Sequence, residues 1–152
     1  MNTTDAPVTP ALRRWLVFRI AAQAYAAPLE CVGEVIRDGD ATPVPGAAPE
    51  LLGIRHLRGR IVPVLDGARR VGLAPDADAD PEQARIVVLV HGAHRIGLRV
   101  DAVGELLEST QEPAPPPPGR VARDDDPVEG VLPLQSGFVA LLDVRRLCRL
   151  AG

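Results

Sequence analysis

Few residues of this chain have the types and spacing that catalysis or metal binding requires. His91 and His94 have a spacing found in metal sites, but the residues around them predict a hairpin turn, with no helix to align the two rings. Ser109 and Ser136 are the only serines, and neither lies in the pattern of a hydrolase nucleophile. No glycine-rich phosphate-binding loop occurs. The sequence therefore predicts no enzyme, no metal site and no cofactor.

The composition argues against further classes of function. Hydrophobic residues make up 46% of the 152 residues, enough for a real core, but no apolar run is longer than Ile86–Val90, which is far shorter than a membrane span of roughly 20 residues. A net charge of −3 and an aromatic content of 3% argue against a nucleic-acid-binding protein. The N-terminus lacks a signal-peptide pattern. With Cys31 and Cys148 expected as buried, reduced thiols, a cytoplasmic protein is predicted.

The two halves of the chain resemble each other, which indicates an internal duplication. Three blocks of the first half recur in the same order in the second half. Leu16–Phe18 matches Val87–Leu89, Val32–Ile36 matches Val103–Leu107, and Ile61–Asp66 matches Phe138–Asp143. Residues that both repeats share should serve the fold, and residues found in only one repeat are candidates for function.

Short strands separated by turns predict a mainly β fold of small, closed or partly closed barrels. Two repeats predict two such barrels, packed side by side with a groove between them. We expect a flexible N-terminal arm over residues 1–12 and one domain over residues 13–152. Subdomain one should span about residues 20–80 and subdomain two about residues 81–143. The proline run Pro115–Pro118 is expected to be a stiff surface connector, with a ligand for an SH3-like partner as the alternative.

Helical segments are predicted at only a few places. The apolar spacing over Leu29–Ile36 predicts one to two turns of helix that begin after Pro28. Glu50–Gly53 is expected to be a turn or a short helical piece, and Asp101–Leu107 a short helix or a bent strand. Val144–Leu150 should form a C-terminal helix.

Three carboxylates of the first repeat recur in the second, which favours structural roles. The pairs are Glu30 with Asp101, Glu34 with Glu105, and Asp66 with Asp143. Asp66 and Asp143 each follow a predicted strand and should cap the element after it. For Glu34 a structural role and a role in binding stay equally open, because its short predicted helix also presents Val32 and Val35.

One charged segment is present in only one repeat. Arg55–Arg60 contains three arginines, whereas the equivalent Leu132–Gly137 contains none, so the fold does not require this charge. Arginine suits protein interfaces, because its planar guanidinium pairs with carboxylates through two hydrogen bonds. Arg58, beside Gly59 in a predicted tight turn, is the strongest candidate for a functional residue. The alternative is a solvated hairpin tip.

Several of these blocks resemble the CheW family of chemotaxis coupling proteins. The most specific is Gly53–Asp66, which contains Leu-Arg-Gly, two further residues, and then Val-Pro-Val-Leu-Asp. The similarity covers about residues 14–150. The other blocks that carry it are Leu16–Phe18, Tyr25–Leu29, Glu34–Arg37, Thr42–Pro45, Gly97–Val103 and Val139–Asp143.

The resemblance implies a fold of two five-stranded β-barrels of the SH3 or OB type, and a non-catalytic adaptor without cofactors. Such an adaptor joins the signalling tips of methyl-accepting chemoreceptors to the regulatory domain of a CheA-type histidine kinase. It reaches membrane arrays only through these partners. The implied receptor-groove residues are Val32, Glu34, Val35, Arg58 and Leu106. The implied kinase-binding residues are Pro43, Val44, Pro45 and Gly53.

Two departures from the family pattern keep alternatives open. His56 stands where the family usually has asparagine, and Gly67-Ala68 follows Asp66 where it usually has Leu-Arg. A diverged coupler for twitching motility or surface sensing is therefore the alternative. A nucleic-acid-binding barrel is supported only by the arginines of Arg55–Arg60.

Overall fold

The computed structural model describes residues 11–116 and 126–149. The strands are β1 Arg13–Ile20, β2 Gln23–Pro28, β3 Val32–Arg37, β4 Leu51–Leu57, β5 Arg60–Asp66, β6 Arg85–His91, β7 His94–Val100, β8 Ala102–Ser109, β9 Val128–Leu134 and β10 Gly137–Leu142. The α-helices are α1 Gly67–Val71 and α2 Val144–Arg149, and the 3-10 turns are Leu29–Cys31 and Pro81–Gln83. The expected arm lies outside the described residues except for residues 11 and 12, and so does the second half of the expected proline connector.

The two sheets exchange strands between the repeats. The first sheet has the order β8-β1-β2-β10-β9 and the second sheet has the order β3-β6-β7-β5-β4. Since β1–β5 form the first repeat and β6–β10 the second, each sheet combines two strands of one repeat with three of the other. The two sheets have the same order when each strand is replaced by its equivalent, which agrees with a duplication. The expected subdomain boundary near residue 80 separates the repeats in sequence, whereas the sheets cross it.

Each sheet is buried on both faces, which explains the continuous apolar runs of its inner strands. One face of each sheet contributes to a central cluster that contains residues of both sheets. The opposite face packs in a flanking cluster of its own. In β10, Ala140 and Leu142 join the central cluster, whereas Val139 and Leu141 pack with Trp15. The residues of β6 alternate in the same way.

The mainly β fold with a C-terminal helix is confirmed, but closure of the sheets into barrels is not. In the backbone pairing order, β8 and β9 are the edges of the first sheet, and β3 and β4 are the edges of the second. The second sheet nevertheless curls around its flanking cluster. Arg58, in the turn between β4 and β5, reaches Glu34 on the opposite edge strand. Side chains therefore span the gap between the edges of this sheet.

The predicted helix over Leu29–Ile36 is wrong. Only Leu29–Cys31 forms a 3-10 turn, and Val32–Arg37 continues as β3, paired antiparallel with β6. β-Branched side chains favour an extended backbone, and burial of Ile36 in a flanking cluster outweighs the helical spacing. The turn expected over Glu50–Gly53 is also wrong, since β4 begins at Leu51.

Two further local predictions agree with the structure. Residues 102–109 form β8, which shows a register shift against β1, as expected for a bent strand. The Asp66 carboxylate accepts a hydrogen bond from the Ala68 backbone N–H at 3.2 Å, and the Asp143 carboxylate accepts one from Arg146 N–H at 3.2 Å. The shared carboxylates Asp66 and Asp143 therefore cap α1 and α2.

Candidate protein-interaction surface

The Glu34–Arg58 ion pair joins two elements that the backbone does not connect. Arg58 Nε lies 3.3 Å from Glu34 Oε2, and the side chains are 83% and 26% exposed, respectively. An ion pair as exposed as this contributes about 0–1 kcal/mol to stability. Its main effect is to orient the guanidinium on the outer surface of the second sheet, where a partner protein can reach it.

Arg58 occupies a backbone conformation that an arginine adopts only at a cost. Its φ is 52°, and Gly59 follows with φ 78°. These two left-handed residues form the tight turn that the sequence predicted, but only glycine fits such a position without strain. A side chain there costs about 1–2 kcal/mol. Ala21 and Ala22 have the same left-handed conformation in the β1–β2 turn, so the strain identifies a tight hairpin, and it is the exposure of Arg58 that supports a binding role.

Two more arginines lie close to this pair. A small cavity of about 70 Å³ is bordered by Glu34, Arg58, Arg60 and Arg95, above the apolar residues Leu57, Val62 and Val88. The side chain of Arg95 crosses β6 and passes close to Gly33, beside Glu34. Arg95 is not among the residues that the sequence predicted for a binding site. A comparison of the repeats finds it, because Ala24 stands at the equivalent position.

Val35 and Leu106 are equivalent apolar residues on the edge strands of different sheets. Val35 on β3 is 40% exposed and Leu106 on β8 is 56% exposed. The next residue along each strand points inward: Ile36, after Val35, packs in one flanking cluster, and Leu107, after Leu106, packs in the other. Exposed apolar side chains on free sheet edges are typical of interaction surfaces. Val32 differs, because it is only partly exposed and packs against the central cluster.

The segment Pro43–Pro45 is exposed and is held against the edge of the second sheet. Thr42 and Ile54 exchange two backbone hydrogen bonds of 2.9 Å each. Gly53 is buried, with φ 151°, and a Cβ atom there would overlap the Thr42 carbonyl. Gly53 therefore positions the Pro43–Pro45 segment and is not itself accessible to a partner.

The second repeat contains the same arrangement at the edge of the first sheet. Ala114 and Val131 exchange two backbone hydrogen bonds of 2.8 and 2.9 Å. A Cβ atom at Gly130 would lie 2.9 Å from the Ala114 carbonyl oxygen. The start of the proline run is thus the counterpart of Pro43–Pro45. The sequence predicted a surface connector, and the structure adds that the residue before this run is hydrogen-bonded to β9.

The groups that could carry reactive chemistry are inert or dispersed. Burial raises the pKa of the thiols of Cys31 and Cys148, so both stay protonated near neutral pH. Cys148 is buried as expected, whereas Cys31 is partly exposed. His91 and His94 face each other in the exposed hairpin between β6 and β7.

Within residues 11–116 and 126–149, no three His, Cys, Asp or Glu side chains are grouped to hold a metal ion. No helix in this part of the chain is long and apolar enough to cross a membrane.

Comparison with known proteins agrees on one family. The CheW-like domain family matches residues 14–151. A probable chemotaxis protein CheW of Rhizobium etli is 32% identical over 138 residues, which covers 89% of this chain and 86% of the relative. A chemotaxis protein CheW of Thermotoga maritima is 39% identical over 61 residues, 40% of each chain.

A solved structure shows the same fold. The crystal structure of the scaffolding protein TtCheW from Thermoanaerobacter tengcongensis superimposes with a TM-score of 0.76 and 28% identity, covering 88% of this chain and 90% of that chain. These matches define the class of protein as a non-catalytic scaffold of chemotaxis signalling. The chain belongs to the CheW-like family. Both the resemblance and the absence of catalysis predicted from the sequence are thereby confirmed.

Proposed function

We propose that this chain couples the signalling tips of methyl-accepting chemoreceptors to the regulatory domain of a CheA-type histidine kinase, in the cytoplasm. The observation that carries the proposal is Arg58. It lies in a tight turn, is 83% exposed, and pairs with Glu34 on the edge strand β3, which presents the exposed side chain of Val35 on its other face. One edge strand thus presents charge on one face and an apolar side chain on the other, on a scaffold of the right family.

The receptor side needs an apolar surface with charges at its rim. A receptor tip is a helical hairpin, and a helix that binds in a groove buries one apolar face. Val35 and Leu106 supply exposed apolar contacts, and Val32 supports the start of β3 from the central cluster. Glu34 and Arg58 would fix the register of the helix through charged pairs at the rim.

The kinase side is assigned to Pro43, Val44 and Pro45. Val44 is 39% exposed, and the two prolines restrict the backbone on either side of it. A segment restricted in this way loses little conformational entropy on binding. Gly53 would act indirectly, by allowing Thr42 to approach β4.

The test is a reconstitution of kinase activity from purified components. This protein is mixed with a CheA-type kinase and receptor signalling fragments encoded beside it, and autophosphorylation is followed with and without the protein. Arg58→Glu should lower receptor-dependent activity at least fivefold, because it places a carboxylate beside Glu34. Arg58→Gln, which introduces the residue of the second repeat, should lower it less.

Arg149→Glu is the matched control, since Arg149 is exposed on α2 and distant in sequence from the surface. Thermal denaturation should show all three variants folded. Normal coupling by a folded Arg58→Glu variant would refute the assignment of Arg58. Kinase activity that never depends on this protein would refute the coupling function itself.

A further inference from the structure

The cavity beside Glu34 differs between the two repeats in charge but not in its apolar lining. Its apolar residues Leu57, Val62 and Val88 are matched in the second repeat by Leu134, Val139 and Val17, which are identical in type. Glu34 is likewise matched by Glu105. The fold therefore keeps these four positions in both sheets.

All three arginines at the cavity are specific to one repeat. Arg58, Arg60 and Arg95 correspond to Gln135, Gly137 and Ala24, respectively. The equivalent sheet forms without any of the three positive charges, so packing does not require them. Three separate positions on β5, β7 and the β4–β5 turn carry a positive charge around one carboxylate in one repeat only. The comparison that supports Arg58 thus extends to Arg60 and Arg95.

The charges at this cavity are not balanced. Glu34 supplies one negative charge and pairs with Arg58. Within residues 11–116 and 126–149, no acidic side chain lies within 4.0 Å of Arg60 or Arg95, so the cavity carries an excess of positive charge. Guanidinium groups held near one another in this way attract anionic groups and prefer planar, bidentate acceptors such as carboxylates.

We propose that Arg60 and Arg95 form a carboxylate-binding site, which receives an acidic side chain from a helical segment of the partner that lies along the edge strand β3, with Val35 on one face of this strand and the cavity on the other. The proposal rests on the proposed function for the identity of that partner, and it adds the chemistry that the partner must present. The site selects helices with Glu or Asp next to their apolar face. Glu34 holds Arg58 at the rim, which leaves Arg60 and Arg95 to bind the incoming carboxylate.

The size of the cavity favours a carboxylate over a nucleotide. A volume of about 70 Å³ has room for roughly two water molecules, which a carboxylate can displace and a nucleobase cannot. Trp15, the single tryptophan, is buried in a flanking cluster and offers no surface for stacking a base. An acidic side chain on a protein helix fits both the positive charge and the small volume of the cavity.

The test compares two probes on the full chain by NMR titration. One probe is an amphipathic helical peptide with two glutamates four residues apart, and the other carries glutamines at the same positions. The wild type should bind the acidic peptide about tenfold more tightly, with chemical shift changes at the Nε–Hε groups of Arg60 and Arg95. The double variant Arg60→Gln/Arg95→Ala should lose this preference. Arg149→Gln, which removes one positive charge outside the cavity, should retain the preference for the acidic peptide.

Three results would overturn the site. They are equal binding of both peptides by the wild type, an unchanged preference in the folded double variant, and tighter binding of a single-stranded oligonucleotide at the same arginines. A separate titration with a receptor signalling fragment tests the proposed function. Binding of the acidic peptide without binding of the fragment would refute receptor coupling and leave the carboxylate site standing.

Discussion

Gly53→Ala should destabilise the protein far more than an ordinary glycine-to-alanine change. Gly53 has φ 151°, and an added Cβ would overlap the Thr42 carbonyl, which is rigid backbone. Relief of that overlap requires Thr42 to move away from Ile54 and to break two backbone hydrogen bonds of 2.9 Å. Each bond contributes about 1 kcal/mol, and the unfavourable φ adds about 1 kcal/mol. The sum is a loss of about 3 kcal/mol in the free energy of unfolding.

Thermal denaturation should show this loss as a decrease in Tm of about 6–12 °C for a domain of this size. Gly92→Ala is the matched control. Gly92 also has a positive φ, of 60°, but an added Cβ would meet no atom within 4 Å. Its Tm should fall by only about 2–4 °C, because the conformational penalty acts alone.

Amide hydrogen exchange and kinase binding complete the experiment. The amides of Thr42 and Ile54 should exchange faster in Gly53→Ala, and the affinity for the kinase regulatory domain should fall although Gly53 is buried. The contrary result is an equal decrease in Tm for Gly53→Ala and Gly92→Ala, with the exchange protection of the Thr42 amide unchanged. That result would contradict the view that Gly53 is required because Thr42 packs closely against β4.

Three further outcomes are expected. Ala22→Gly should raise stability by about 1 kcal/mol in a thermal melt, because Ala22 has φ 66° in the β1–β2 turn; a lower Tm would contradict this. Val35→Asp should weaken binding of a receptor fragment by tenfold or more with little change in Tm, whereas Leu134→Asp, at a residue 39% exposed on β9 of the first sheet, should leave binding unchanged. Burial and the Glu30 carboxylate raise the pKa of Cys31, so alkylation by iodoacetamide should be slow at pH 7.5 and accelerate only as the pH rises above 9; rapid labelling at pH 7.5 would count against it.

The sequence predicted elements wherever local pattern and burial agree. The run Ile86–Val90 reads as a strand buried on both faces, and β6 packs between the central and one flanking cluster. Asp66 and Asp143 each follow a strand and cap a helix, as their recurrence in both repeats indicated. Arg58 lies in the predicted turn and pairs with Glu34, a carboxylate that the sequence also identified as a candidate for binding.

The failures arise where contacts distant in sequence decide the structure. Leu29–Ile36 has helical spacing, but pairing with β6 makes most of it a strand. The apparent boundary near residue 80 follows the repeats, whereas strand pairing depends on which strands lie side by side after folding. Arg95 was missed because it is remote in sequence from the charged segment and reaches Glu34 only by crossing β6.

The exchange of strands has consequences for the origin and the mechanics of the molecule. A single ancestral repeat of five strands would build both sheets only as a homodimer, with each subunit donating two strands to its partner. The present chain has the topology of such an intertwined dimer joined into one polypeptide, with the arginines in only one of its halves. The chain crosses between the sheets through two short connections, Leu29–Cys31 and Asp101, and both sheets share the central cluster, so rotation of one sheet against the other would disrupt that packing. A lattice assembled from this scaffold therefore inherits a fixed angle between Val35 on one sheet edge and Leu106 on the other.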